Sequence, residues 1–231
     1  TDLDSNYLNG KRVGVLNSSE SSEIEKELIK KVKKVLKANG AVIVDVEFNI
    51  SSDYKAAKEF YVLLYEFNVG MKSYLEGRDL PYETLEDIVA FNEANSDTVL
   101  KHFGQEIFLE SLKATDTERY LKEREDIGRL AKAQIDSVLD ANNLDVIIGL
   151  TRNPGWLTDL ENGDSRGDGG ISWANGGLSA VAGYPHITIP LDFVNDLPVG
   201  VSFLGTAWDE ANLINAAYSF EQENKFFPIP K

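Results

Sequence analysis

The spacing of hydrophobic positions changes period several times along the chain, and each change marks an element. Lys11 to Leu16 (KRVGVL) is a short β-rich run closed by Asn17-Ser18-Ser19. After it Ile24, Leu28, Val32, Val35 and Leu36 recur at steps of three and four, the spacing of one helix face, with lysines on the other face. The serines at 18–22 suit an N-cap, while Glu20, Glu23 and Glu25 suit the positive end of a helix dipole. Asn39-Gly40 reads as the C-cap, and Ala41 to Val46 (AVIVDV) as a second strand. A strand–helix–strand run of this length predicts a parallel βαβ unit.

From about Asp53 to Ala141 the period is helical almost throughout. Phe60, Leu63, Leu64, Phe67 and Met71 form one apolar stripe, and Gly77 and Pro81 interrupt it. Thr84 or Glu83 caps the next helix, which carries Leu85, Ile88 and Val89. A long helix from about Asp116 turns Leu121, Ile127, Leu130, Ile135, Val138 and Leu139 inward and ends at Asn142-Asn143. Leu144 to Leu150 (LDVIIGL) is the nearly all-apolar segment of a buried parallel strand. Residues 151–177 lose periodicity in a glycine-rich run with two tryptophans, too long for a plain connection. Regular structure resumes with a helical turn at Leu178 to Ala182, strands at Ile187 to Ile189 and Val199 to Leu204, and a closing helix at Asp209 to Glu221 with Leu213, Ile214 and Ala217 inward. Without an internal repeat or linker, the pattern predicts one α/β unit over 1–231.

Composition narrows the function. At 231 residues and 42% hydrophobic, the chain can bury a core and is not a disordered segment. It has no cysteine, which excludes a disulfide framework, a thiolate metal site and a cysteine nucleophile. Its 23 basic and 38 acidic side chains leave a net charge of −15, which argues against nucleic-acid or anionic-membrane partners. The first ten residues lack a basic region followed by an apolar run, and no stretch approaches the roughly 18 apolar residues of a membrane span. A soluble, acidic, cytoplasmic protein is expected, and the leading threonine suggests a processed or truncated product.

Candidate chemistry is sparse. His102 and His186 are far apart and read as surface or structural residues, with His186 the more interesting because it follows Tyr184-Pro185 and precedes a strand. No nucleophile elbow, Walker loop or His/Glu metal motif occurs. Glu161, Asp164 and Asp168 lack EF-hand spacing and read as solvated loop residues, so neither metal nor cofactor is expected. The Ser18-Ser19 turn lacks the glycines of a phosphate cradle and reads as N-capping. The pairs Gly169-Gly170 and Gly176-Gly177 permit a close backbone approach, and Trp156 and Trp173 suit a pocket wall.

The C-terminal stretch AVAGYPHITIPLDFVNDLPVGVSFLGTAWDEANLINAAYSFEQ closely resembles the end of the amidase signature family, with its A-x-x-G-x-P-x-I-T-[VI]-P and L-P-V-G-[IV] motifs. LNGKRVGVL resembles the strand entering the second half of those enzymes. LPYETLEDIVAFNEAN and HFGQEIF resemble their central helices, and LDVIIGLTRNPGWLTDLENGD their pocket strand and loop. Together these segments span essentially the whole chain in the family's order.

The resemblance implies a mixed sheet flanked by helices, the C-terminal part of an amidase-signature fold. It implies hydrolysis of carboxamide C–N bonds by a Ser–cis-Ser–Lys triad in which a neutral lysine works through the bridging serine. The triad lies upstream of the matching part, and the serines at 18, 19, 21 and 22 have no intervening glycines, so no catalytic residue carries over and the chain alone is expected to be inactive. The resemblance places Thr151, Pro154, Trp156, Trp173 and Asn175 nearest the substrate. Implied partners are a small-molecule amide and the missing N-terminal half, with self-association through the apolar surface that half would cover. A non-catalytic binding module and a relative of an amidotransferase subunit are the alternatives; the FNEAN and FGQEIF segments favour the free-standing amidases. Two departures stand out: Asp192 replaces the usual glycine after the strand, and Gly149-Leu150-Thr151 replaces Ala-Pro-Thr.

Overall fold

The computed structural model describes residues 3–17, 21–48, 52–56, 59–161 and 176–227. Within them the order is β1 (Arg12–Leu16), α1 (Glu23–Ala38), β2 (Val42–Val46), α2 (Ser52–Ala56), α3 (Glu59–Leu75), α4 (Leu85–Ala94), α5 (Ser96–Val99), α6 (Glu106–Lys113), α7 (Thr117–Asn142), β3 (Val146–Leu150), α8 (Gly177–Ala182), β4 (His186–Val194), β5 (Leu197–Leu204) and α9 (Glu210–Asn224). The chain divides into two compact units: a sheet unit of Thr1–Lys55, Gly128–Gly155 and Asp168–Lys231, and a helical unit of Ala56–Ile127 and Trp156–Gly167.

The sheet runs β2-β1-β3-β5-β4. β1 is parallel to β2 and β3, while β5 is antiparallel to β3 and β4, so the sheet is mixed and the βαβ expectation is met. Alternate residues face opposite layers. Val13, Val15, Val146, Ile148, Val201 and Phe203 pack with Ile29 and Val32 of α1 and with Leu213 and Phe220 of α9. Leu16, Val46, Ile147 and Leu204 pack on the other face with Ala131, Ile135 and Leu139 of α7 and Ala182 of α8.

Capping sets the helix starts. Ser22 Oγ accepts the Glu25 amide at 3.2 Å while Glu25 accepts the Ser22 amide at 2.7 Å, which satisfies two amides that the first turn leaves over. Thr84 and Asp87 repeat that exchange at α4. Ile24, expected inward, is 53% exposed. At about 100° per residue Glu25, Ile29, Val32 and Leu36 fall within an arc of about 60°, and Ile24 lies well off its centre. Ile214 is half-exposed for the same reason, one step from the buried Leu213–Ala217 face of α9.

In the helical unit α3 packs against α4 and α6. Phe67 stacks on Phe108 at 5.4 Å, and Tyr65 on Tyr120 at 4.2 Å. The stripe read as core is only partly so: Leu64 is buried, but Phe60 and Leu63 are about half-exposed. α3 is apolar around most of its circumference, and α4 and α6 cover one flank. Leu121 is also half-exposed, because its stretch of α7 meets α3 through Tyr120, whose hydroxyl donates to Glu66 at 2.7 Å.

Candidate functional site

Open α/β sheets bind ligands beyond the carboxyl ends of parallel strands, where successive connections diverge. Here that point lies between β1 and β3: the chain leaves β1 through α1 on one face and enters β3 from α7 on the other. Thr151 is the first residue beyond β3. Its amide donates to Gly200 O at 3.0 Å and its hydroxyl pairs with Ser202 Oγ at 2.7 Å, so both its backbone and its side chain are tied to β5.

Residue pairing across β3, β5 and β4 explains the surface at this end. On the α7/α8 face the rows run Ile147–Leu204–His186, then Gly149–Ser202–Thr188, then Thr151–Gly200–Pro190. The first row carries the buried apolar side chains, and the next two are built from small residues, proline and hydroxyls. Ser202 is fully buried and pairs with Thr188 Oγ1 at 2.8 Å as well as with Thr151. A Cβ on Gly200 would stand 2.8 Å from Thr188 Cγ2 and 2.9 Å from Thr151 Oγ1, so only glycine leaves these hydroxyls in place. His186 is half-buried on the same face, and its ring lies 3.5–3.7 Å from where a Cβ on Gly176 would stand. Gly176 has φ +86°, a conformation that favours glycine in its own right. His102 is exposed in the helical unit.

Of the site residues expected from the sequence, Thr151 and Pro154 are half-buried at the end of β3 in the sheet unit. Trp156 belongs to the helical unit and is 37% exposed. Trp173, Asn175, Ser18, Ser19, Asp164, Asp168 and the Gly169-Gly170 pair lie outside the described residues. Among the described residues no three His, Asp or Glu side chains converge as a metal site. Sequence reasoning passed over Ser202, Thr188 and Gly200. Their signal is a period of two, with Thr188 and Pro190 on one strand and Gly200 and Ser202 on the next.

Asp192, the departure from the family pattern, sits at a β-bulge after Pro190 and pairs with Lys31 of α1 at 2.7 Å. Burial pushes its pKa up, but the Lys31 hydrogen bond, the Phe193 amide and the Lys31 charge outweigh it and hold the carboxyl below the usual 3.8. At the other end of the sheet Lys11 pairs with Asp145 at 3.0 Å, and that hydrogen bond raises the lysine pKa despite some desolvation. Tyr184 donates to Asp136 at 2.8 Å, and its pKa is raised first by burial and then by this bond.

The model of the amidase family matches residues 2–214. The chain belongs to the amidase family. A probable amidase from Arabidopsis thaliana is 27% identical over 99% of this chain and 41% of its own length. A glutamyl-tRNA(Gln) amidotransferase subunit from Lysinibacillus sphaericus is 30% identical over 84% of this chain and 40% of its own length. The crystal structure of peptide amidase from Stenotrophomonas maltophilia superposes with a TM-score of 0.82 at 35% identity, covering 96% of this chain and 44% of that one. The chain thus spans about two fifths of the length of the curated relatives it matches. No helix among the described residues is long and apolar enough to cross a membrane.

Proposed function

We propose that this chain is the C-terminal portion of an amidase that hydrolyses carboxamide C–N bonds through a Ser–cis-Ser–Lys triad in the preceding part of the same protein. The observation that carries the reading is the family match over 2–214 combined with coverage of only 40–45% of the relatives' lengths. In this reading residues 1–231 are one part of a larger amidase domain. They contribute part of its sheet and one wall of the substrate pocket, with Thr151, Pro154, Trp156, Trp173 and Asn175 toward the amide. The chemistry is acyl transfer: the nucleophilic serine attacks the carbonyl, amides stabilise the oxyanion, and the leaving amine takes the proton relayed from the lysine.

The test compares the purified 231-residue chain with the longer protein encoded around it, using ammonia release from primary carboxamides. The isolated chain should show no release above background and the longer protein turnover. Robust turnover by the isolated chain would overturn the reading. The likeness to the amidotransferase subunit supports a second reading, in which the longer protein works within a complex. Its mark is amide hydrolysis that appears only when a second polypeptide co-purifies.

A further inference from the structure

The segment that leaves β3 starts at Thr151, and three hydroxyls decide how firmly it starts. Thr151 Oγ1, Ser202 Oγ and Thr188 Oγ1 form a run with separations of 2.7 and 2.8 Å across three strands. The middle member is wholly out of water, while Thr188 at the far end is exposed. A buried hydroxyl is costly unless bonded, so Ser202 holds both neighbours to its own position. Each link joins two hydroxyls, and either oxygen can donate. The run can therefore reverse direction as a unit, turning a donor into an acceptor at both ends without moving a heavy atom. A carboxamide offers a carbonyl acceptor and N–H donors on one small plane, which a reversible hydroxyl can meet in either orientation.

We infer that Ser202 and Thr188 are positioning residues for the amide substrate, acting through Thr151: the run fixes the Thr151 hydroxyl at the end of β3 and sets its donor or acceptor sense to match the carboxamide. This rests on the amidase reading, which puts Thr151 beside the substrate. Gly200 belongs to the same device, because any side chain there would push Thr188 and Thr151 apart.

The experiment uses the 231-residue chain with labelled threonine methyls, titrated with N-acetylalanine amide as the carboxamide probe. The Thr151 χ1 rotamer is read from three-bond couplings without ligand, and the probe affinity from the Thr151 methyl shift. Thr188→Val keeps the shape of an exposed residue and removes only the hydroxyl, so folding is not at stake. Thr188→Ser keeps the hydroxyl, and Ser202→Ala removes the centre of the run. Thr188→Val and Ser202→Ala should release the Thr151 rotamer and weaken the probe by about three- to tenfold, the effect of one lost hydrogen bond. Thr188→Ser should recover most of that loss, and the urea midpoints of the two Thr188 variants should match wild type.

A Thr151 rotamer that stays fixed in both hydroxyl-less variants would overturn the relay whatever the protein hydrolyses. Rotamer release with unchanged probe affinity would leave the hydroxyls purely structural and overturn the inference while the amidase reading stands. No Thr151 response to the probe in wild type would also overturn it. The amidase reading is decided separately, by ammonia release from the longer protein.

Discussion

At the scale of single residues, the informative positions are polar ones whose partners lie far away in sequence. Arg12 reaches the carbonyl of Asn142 at 3.0 Å and so closes the C-terminal end of α7, 130 residues downstream. Ser219 accepts the Leu8 amide at 3.3 Å and Asn215 the Asp4 amide at 3.0 Å, which tie the N-terminal turns to α9. Asp192 gives a prediction. Its pKa is lowered in the fold, so its contribution to stability is present above the unfolded value near 3.8 and is lost as pH falls through the lower, folded value. Wild type should therefore lose its advantage over Asp192→Asn between about pH 4 and pH 2, read as urea midpoints that converge on acidification. A gap that stays constant over that range would remove Lys31–Asp192 as the cause.

At the scale of elements, most starts and stops were legible because caps are local chemistry. Ser22 and Thr84 take the N-cap positions the sequence offers, and Asn143, at φ +49°, ends α7 where the Asn-Asn pair does. What was not legible is pairing between elements. The FNEAN and FGQEIF segments meet through Asn92, whose amide donates to Gln105 Oε1 at 3.1 Å, while Gln105 Nε2 reaches Val89 O at 3.4 Å. Gln105 is only 8% exposed, so truncation leaves the partner groups unsatisfied as well as a cavity. Gln105→Ala should cost about 1–3 kcal/mol in chemical unfolding, and an unchanged midpoint would show that these bonds add nothing. Strand length was also underread. β4 runs nine residues rather than three, because its exposed Thr188, Pro190 and Phe193 break the apolar run that marked Ile187 to Ile189.

At the scale of the whole molecule, the chain's length acquires its meaning from its relatives, of which it spans about two fifths. The helical unit leaves Phe60, Leu63, Ile107, Leu121 and Leu157 exposed, the last at 95%. The sheet of described strands ends in β2 on one side and β4 on the other. Apolar surface and open strand edges of this kind favour association. The isolated chain should therefore bind ANS and sediment as a dimer or larger species. A strictly monomeric chain without ANS enhancement would count against the half-enzyme reading.

The sequence by itself determined the element order, the caps, the parallel βαβ start and the family, because each rests on local spacing or on motifs kept in linear order. The candidate site was legible only at Thr151, Pro154 and Trp156, through the resemblance. Only the tertiary structure decided that Thr151, Ser202 and Thr188 share one hydrogen-bonded run, since register between β3, β5 and β4 places residues 14 to 51 positions apart side by side. It also decided which apolar residues are core: periodicity says which side of a helix is apolar, and only packing says which of those side chains find a neighbour.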